Sequence, residues 1–218
     1  MSQPTKKLLQ YLNEAHASEV GLVRVLQSQI AMTPRSGYRT ALEKHLRQTR
    51  DHAERLQTRM RELGQGANPL QAGIGIAESV IAQALALGKT PLDLLRGSGG
   101  EEKVLKNAKD ACATEALEIA TYTAIERLAQ SVGDKTTARL AASIRADEEK
   151  MLERVLHEIP GLTEAVVGAD VHGDGAYDIA TTGAGEAVDA AGRATKQAAR
   201  KGRAKAKRST RPAGKSNL

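Results

Sequence analysis

The chain has 218 residues, a formal net charge of +6 and a single cysteine, Cys112, which excludes an intramolecular disulfide framework and any cysteine-rich zinc module. With four Tyr, no Phe and no Trp, the core must be built from Leu, Ala, Val, Ile and Met, which suits closely packed helices better than a β-sandwich. Nothing near Met1 resembles an apolar signal core, and no apolar run approaches the roughly 20 residues needed to span a bilayer, so the expectation is a soluble cytoplasmic protein.

The first amphipathic segment runs from about Thr5 to Met32 and stops before Thr33-Pro34, because a residue preceding proline disfavours the helical region. Its seam reads Leu8, Leu12, Ala15, Glu19, Leu22, Leu26. Ser36 is a good N-cap for a second helix that continues to Leu63, where Gly64 and Gly66 can end it. That seam reads Leu42, Leu46, Thr49, Ala53, Leu56, Met60, Leu63. Asn68-Pro69 opens a shorter Ala-, Gly- and Ile-rich helix to about Leu87, and one further turn follows at Leu92 to Leu95. A third long helix covers about Glu101 to Ser131, and Asp134 caps a fourth that Pro160 is expected to stop. The fourth seam is Ala141, Ile144, Glu148, Leu152, Val155, Ile159.

Helices of this length are about 40 Å long. Joined by these connections they predict an all-α, antiparallel four-helix bundle over residues 1–167, the short helix crossing from one helix pair to the other. Beyond Gly168 the periodicity fails. Residues 168–192, rich in Gly, Ala and Asp, read as a disordered linker. Residues 193–218 read as a disordered basic arm, holding ten Lys or Arg and no acid. The first 192 residues therefore carry 22 basic against 26 acidic side chains, a mildly acidic body.

The third helix puts charge where a core should be. Val104, Ala108, Ala111, Glu115, Glu118, Tyr122, Ile125 and Ala129 fall on one stripe, in steps of three and four. An unpaired buried carboxylate costs several kcal/mol, so Glu115 and Glu118 need a cation, a proton or a partner. With Glu19 and Glu148 also mid-helix, four carboxylates can converge, His52 lies nearby and Tyr122 is one turn away. Bridging carboxylates neutralise two divalent cations, and imidazole suits iron, manganese or zinc. The pattern points to a metal centre between helices, and a metal-free polar seam is the alternative. No Glu-x-x-His pair of the usual dinuclear type occurs. Gln48 and Thr49 precede His52, and Met151 follows Glu148.

Other leads are weaker. His45 shares a helix face with Gln48 and His52 beside the main seam, and His16 and His157 read as flank residues. Asp170-Val-His-Gly-Asp174-Gly175 resembles the start of a calcium loop, but Thr181 stands where the closing Glu belongs, so it reads as a flexible loop. No Gly-x-Ser-x-Gly, Walker-type loop or dinucleotide fingerprint is present, and Cys112 among alanines reads as a small core residue.

Several segments together resemble the ferritin-like bacterial stress proteins typified by YciE and YciF. They are Lys7-Leu-Leu-Gln-Tyr-Leu-Asn-Glu-Ala15, His45-Leu-Arg-Gln-Thr49 with His52, Gly88-Lys-Thr-Pro-Leu-Asp-Leu-Leu-Arg-Gly97, Glu101-Glu-Lys-Val-Leu-Lys-Asn-Ala-Lys109, and the run from Thr114 to Tyr122. The resemblance covers about residues 5–160. It implies a ferritin-like homodimer with a dinuclear iron or manganese centre and a role in stress protection. The ligands carried over are Glu19, His52, Glu115, Glu118 and Glu148, with Gln48 where related sequences often have Glu.

Two functions are therefore expected of the sequence. One is a metal-binding protective protein that oxidises Fe(II) or consumes peroxide. The other is a non-catalytic bundle tethered to DNA or another polyanion by residues 193–218. Such binding would fall steeply with salt, and without aromatic residues in the arm it would lack base stacking.

Overall fold

The computed structural model describes residues 1–65 and 99–193. Four long helices dominate: α1 (Gln3–Met32), α2 (Gly37–Glu62), α3 (Gly100–Ser131) and α4 (Lys135–Val167). Local chemistry sets their ends. Ser2 caps α1 by accepting from the Thr5 amide, and Thr33 turns extended before Pro34. Ser36 caps α2 through the Arg39 amide, and Gly64, at φ +89°, takes the left-handed turn that follows it. Glu101 and Glu102 lie in the first turn of α3, where carboxylates favour the positive end of the helix dipole. Asp134 caps α4 through the Thr137 amide and also binds the Arg59 guanidinium at 2.8 Å.

Buried residues along the four helices fall into three levels. At one end Leu9, Leu12 and Ala15 meet Leu56, Met60, Tyr122, Ile125, Ala141 and Ile144. At the other, Leu22 and Leu26 meet Tyr38, Leu42, Val104, Ala108, Ala111, Met151 and Val155. These pairings make α1 antiparallel to α2 and α3, and α4 antiparallel to α3 and α2. The end of α2 and the start of α3 consequently lie at opposite ends of the bundle. This is the ferritin-like arrangement, two antiparallel pairs joined by one long crossover. The crossover itself, with the short helix expected over 69–87, lies outside the described residues, as does 194–218.

Two expectations are corrected. The fourth helix does not stop at Pro160 but continues to Val167 with the proline inside it. Proline removes one backbone hydrogen bond, to the carbonyl of Leu156. That residue is exposed, so water can take the carbonyl, while Ile159 and Leu162 pack on the core and hold the last turns in place. Nor are residues 168–192 a disordered linker. A π-helical turn (Gly168–His172), a left-handed Gly173 and a 3-10 turn (Ile179–Thr181) lead into a helix over 183–193. The Tyr177 hydroxyl donates to the Met32 carbonyl at 2.9 Å, and its ring packs on the end of the core. Thr182 pairs with Pro34 and is 1% exposed. This strap has too few apolar residues to show a period. Its order comes from the surface that it meets.

Candidate metal centre

Between the two apolar levels lies a polar one. It comprises Glu19 from α1, His45 and His52 from α2, Glu115 and Glu118 from α3, and Glu148 from α4, each 0–1% exposed. The apolar residues on either side force them inward. Turning α1 so that Glu19 reached water would also expose Leu12 and Leu26, at about 1.5–3 kcal/mol each.

The side chains form two triads that share one carboxylate. Glu19, His52 and Glu148 offer ligand atoms within 4.8 Å of one another, and so do His45, Glu115 and Glu148. His52 Nδ1 lies 3.0 Å from Glu148 Oε1 and 3.4 Å from Glu19 Oε1, while its Nε2 faces Asp147 Oδ2 at 3.5 Å. His45 Nε2 lies 3.2 Å from Glu115 Oε1 and 3.5 Å from Glu148 Oε2. A carboxylate behind an imidazole is the usual way to orient a histidine ligand. Asp147 stands in that position for His52. Tyr122 donates its hydroxyl to Glu19 Oε1 at 2.5 Å, and Ser18 donates to Glu118 Oε1 at 2.5 Å.

Much of this layer's hydrogen-bonding capacity is left to close His–Glu approaches that are not aligned as hydrogen bonds. Glu19 Oε2, Glu115 Oε2, Glu118 Oε2, both oxygens of Glu148 and both ring nitrogens of His45 and His52 are buried without an aligned hydrogen bond. Buried polar atoms are normally paired, and so many orphans in one layer fit a divalent cation better than they fit a structural network. Four carboxylate charges match two divalent cations, and carboxylate with imidazole suits iron, manganese or zinc. The donor set fits the group.

Burial pushes all four carboxyls up. Glu115 rises to about 7 and Glu118 to about 8, desolvation outweighing the neighbouring Glu148 carboxyl at the first and the hydrogen bond from Ser18 at the second. Glu19 and Glu148 rise for the same reason, against the opposing pull of His52. The histidines separate. Burial holds His45 below its usual value, whereas at His52 the carboxylates of Glu148 and Glu19 overcome burial and raise it to about 10. The Tyr122 phenol is driven well above its ordinary range by burial and then by Glu19, so it stays a proton donor.

Of the residues expected from the sequence, Glu19, His52, Glu115 and Glu148 come together in the triads. Glu118 lies in the same layer, held by Ser18, and belongs to neither triad. His45 corrects the sequence reading, which left it beside the seam. The buried face of α2 reads Tyr38, Leu42, His45, Thr49, His52, Leu56, Met60, while Leu46 and Ala53 are only half-buried. Following the apolar Leu46 and Ala53 rotates the face by one residue. The unbroken three-four spacing through both histidines was the signal that could have found it. Gln48 is half-buried and joins neither triad, and Thr49 donates to the His45 carbonyl. Met151 packs in the apolar level beyond.

Residues 3–167 match the family described as a domain of unknown function, DUF892. The chain belongs to this YciF-like family. Its fold is similar to the crystal structure of the E. coli stress protein YciF, at 18% identity and a TM-score of 0.60, covering 75% of this chain and 99% of that one. It is also similar to a Xanthomonas campestris protein at 19% identity and a TM-score of 0.59, covering 78% and 99%. A Rhodopseudomonas palustris protein, YcfI, matches at 20% identity and a TM-score of 0.57, covering 71% and 94%. A search of curated proteins finds no match. These solved relatives are spanned almost whole while a fifth or more of this chain is left over, so this YciF-like bundle carries an extension.

Proposed function

We propose that the chain is a ferritin-like metal-binding protein whose buried layer holds two iron or manganese ions and serves in protection against oxidative stress. The observation that carries this reading is the sharing of Glu148 between two His/Glu triads, one on each side of it. Glu19 and His52 would hold one ion, His45 and Glu115 the other, with Glu148 between them. Glu118 would stand by as an adjacent carboxylate kept in place by Ser18. When bound, such a pair supplies redox chemistry suited to Fe(II) oxidation or peroxide consumption. The protein's own residues supply the rest. Asp147 orients the His52 ring, Tyr122 keeps a proton on the hydroxyl that faces Glu19, and the apolar levels exclude water from above and below. The similar E. coli protein YciF is a stress protein, which supports the protective role, and light scattering would test the homodimer that the family resemblance implies.

The test is metal content per chain, by elemental mass spectrometry on protein from iron- and manganese-supplemented cells. About two ions per chain are expected, with both lost in Glu148→Gln and about one retained in His45→Ala. Unchanged content in Glu148→Gln, or none in a folded wild type, would overturn the assignment and leave the layer a structural seam.

A further inference from the structure

The two halves of the polar layer use the same kinds of ligand but are held unequally. Each takes one glutamate, one histidine and a share of Glu148. Both histidines come from α2, two turns apart on its buried face. His52 lies toward the apolar level of Leu56, Met60 and Tyr122, and His45 toward that of Tyr38 and Leu42. How firmly a ligand holds an ion depends on the groups behind it as well as on the ligand itself. Those groups are present in one half and missing from the other.

In the half made by Glu19 and His52, both ligands are braced from outside the two triads. His52 turns Nδ1 to Glu148 and Glu19, at 3.0 and 3.4 Å, and Nε2 to Asp147 Oδ2 at 3.5 Å. The other oxygen of Asp147 faces the exposed Lys150 Nζ at 3.4 Å, so this acid is held between the surface and the ring. Glu19 has its own brace in Tyr122, whose hydroxyl donates to Oε1 at 2.5 Å. A ring and a carboxylate that are already fixed lose little freedom when an ion arrives.

The half made by His45 and Glu115 has no such support. His45 turns Nε2 to Glu115 and Glu148, at 3.2 and 3.5 Å, and both of these are ligands themselves. Its Nδ1 is buried without a hydrogen-bond partner, and among the described residues no carboxylate stands behind it. Glu115 Oε2 is unpartnered as well. Tyr38, the buried tyrosine of the level on this side, donates its hydroxyl to no ligand. An ion entering here has to order the His45 ring and the Glu115 carboxylate by itself, and that cost comes out of its affinity.

We propose, building on the metal-binding reading, that the two positions are unequal: Glu19, His52 and Glu148 hold a resident ion, and His45 and Glu115 with Glu148 hold an exchangeable one. Asp147 is the positioning residue that sets much of the difference, acting through the His52 ring and touching no ion. The protein then keeps one ion at low free metal and completes the pair only when a second is supplied. The exchangeable position is the one that takes up and releases metal, and it can take a different divalent ion from its neighbour.

The test is titration of the metal-free full chain with manganese(II), followed by calorimetry and electron paramagnetic resonance. Repulsion between two cations would split even equal sites into two steps, so the variants decide. His45→Ala should keep one ion at the first-step affinity of wild type, whereas His52→Ala should keep one about tenfold or more weaker. Asp147→Asn should weaken the first step about tenfold, the low end for such partners because its side chain is 25% exposed. The same change made in His52→Ala should move nothing, which separates positioning of the ring from a general effect on the fold. At one equivalent, wild type should show the signal of a lone manganese ion, and the spin-coupled signal of a pair only as the second enters. Equal affinities in the two histidine variants would overturn the proposal, as would a coupled signal already dominant at one equivalent. So would an unchanged first step in Asp147→Asn, a variant whose metal-free melt should match wild type. No manganese bound by folded wild type is a different failure, that of the metal-binding reading itself.

Discussion

The middle layer and the two apolar levels beside it are built by the same four helices at the same spacing, yet they obey opposite economies. The levels around Leu12, Ile125 and Ile144, and around Leu26, Leu42 and Val155, are stabilising on their own because almost all the surface they bury is apolar. The layer of Glu19, His45, His52, Glu115, Glu118 and Glu148 is stabilising only when something balances its charge. The apolar levels hold the bundle together, and that stability is what keeps six polar side chains dry. Where a side chain sits on the axis therefore decides whether it serves the fold or the site.

The largest expected effect is a difference between the levels when metal is withdrawn. Chelation should leave the apolar levels intact and still lower stability by about 5 kcal/mol if two sites were each filled at roughly a hundred times their dissociation constants. Differential scanning calorimetry before and after chelation measures it, and no change would mean that the polar layer holds without a bound cation. Next, Ile144→Ala or Leu42→Ala should cost about 2–5 kcal/mol in metal-loaded and metal-free protein alike. Chemical denaturation of both forms checks that equality.

Acidity separates the two kinds of level further. Glu115 and Glu118 have folded values near 7 and 8, above those of an unfolded carboxyl. The stability that they contribute by holding protons is full below about pH 4.3 and is lost as the pH rises through 7 to 8. His52, raised to about 10, works in the same direction, and His45, lowered by burial, works against it. Metal-free protein should therefore melt several degrees lower at pH 8 than at pH 5, and added iron or manganese should flatten that slope because the cations replace the protons. A smaller effect should come from Glu118→Gln. Glu118 lies in the layer but outside both triads, so this variant should keep most of its metal while the metal-free form melts a little higher. The smallest effect lies at the strap. Arg39 and then Arg35 hold the Glu186 carboxyl down to about 2, so its contribution is present above about pH 4.3 and lost as the pH falls toward 2. Limited proteolysis across 173–193 should quicken over that range before the bundle unfolds.

How much of this was legible in the chain differs from helix to helix. On α3 the stripe from Val104 to Ala129, both glutamates included, is the buried face residue for residue. On α1 the seam through Glu19 is likewise all buried, with Leu9 and Gln29 added beside it. In both cases apolar residues two turns deep on each side leave one phase for the helix, and a charge on that phase stands out. On α2 leucine and alanine lie next to the histidines and compete for the inward face, so sequence hydropathy alone chose Leu46 and Ala53 over His45 and His52.

The amino-acid sequence by itself determined the four helices, their caps and the presence of carboxylates on their inner faces, because periodicity and capping act within a few residues of one another. The YciF-like family was legible for the same reason, as its marks are local runs. Tertiary structure alone decided which carboxylate is shared, that His45 completes the second triad, that α4 runs through Pro160, and that residues 168–193 fold back as a strap. Each of these depends on atoms brought together from helices far apart in the chain, where no spacing rule applies and only the packed arrangement brings one group within reach of another.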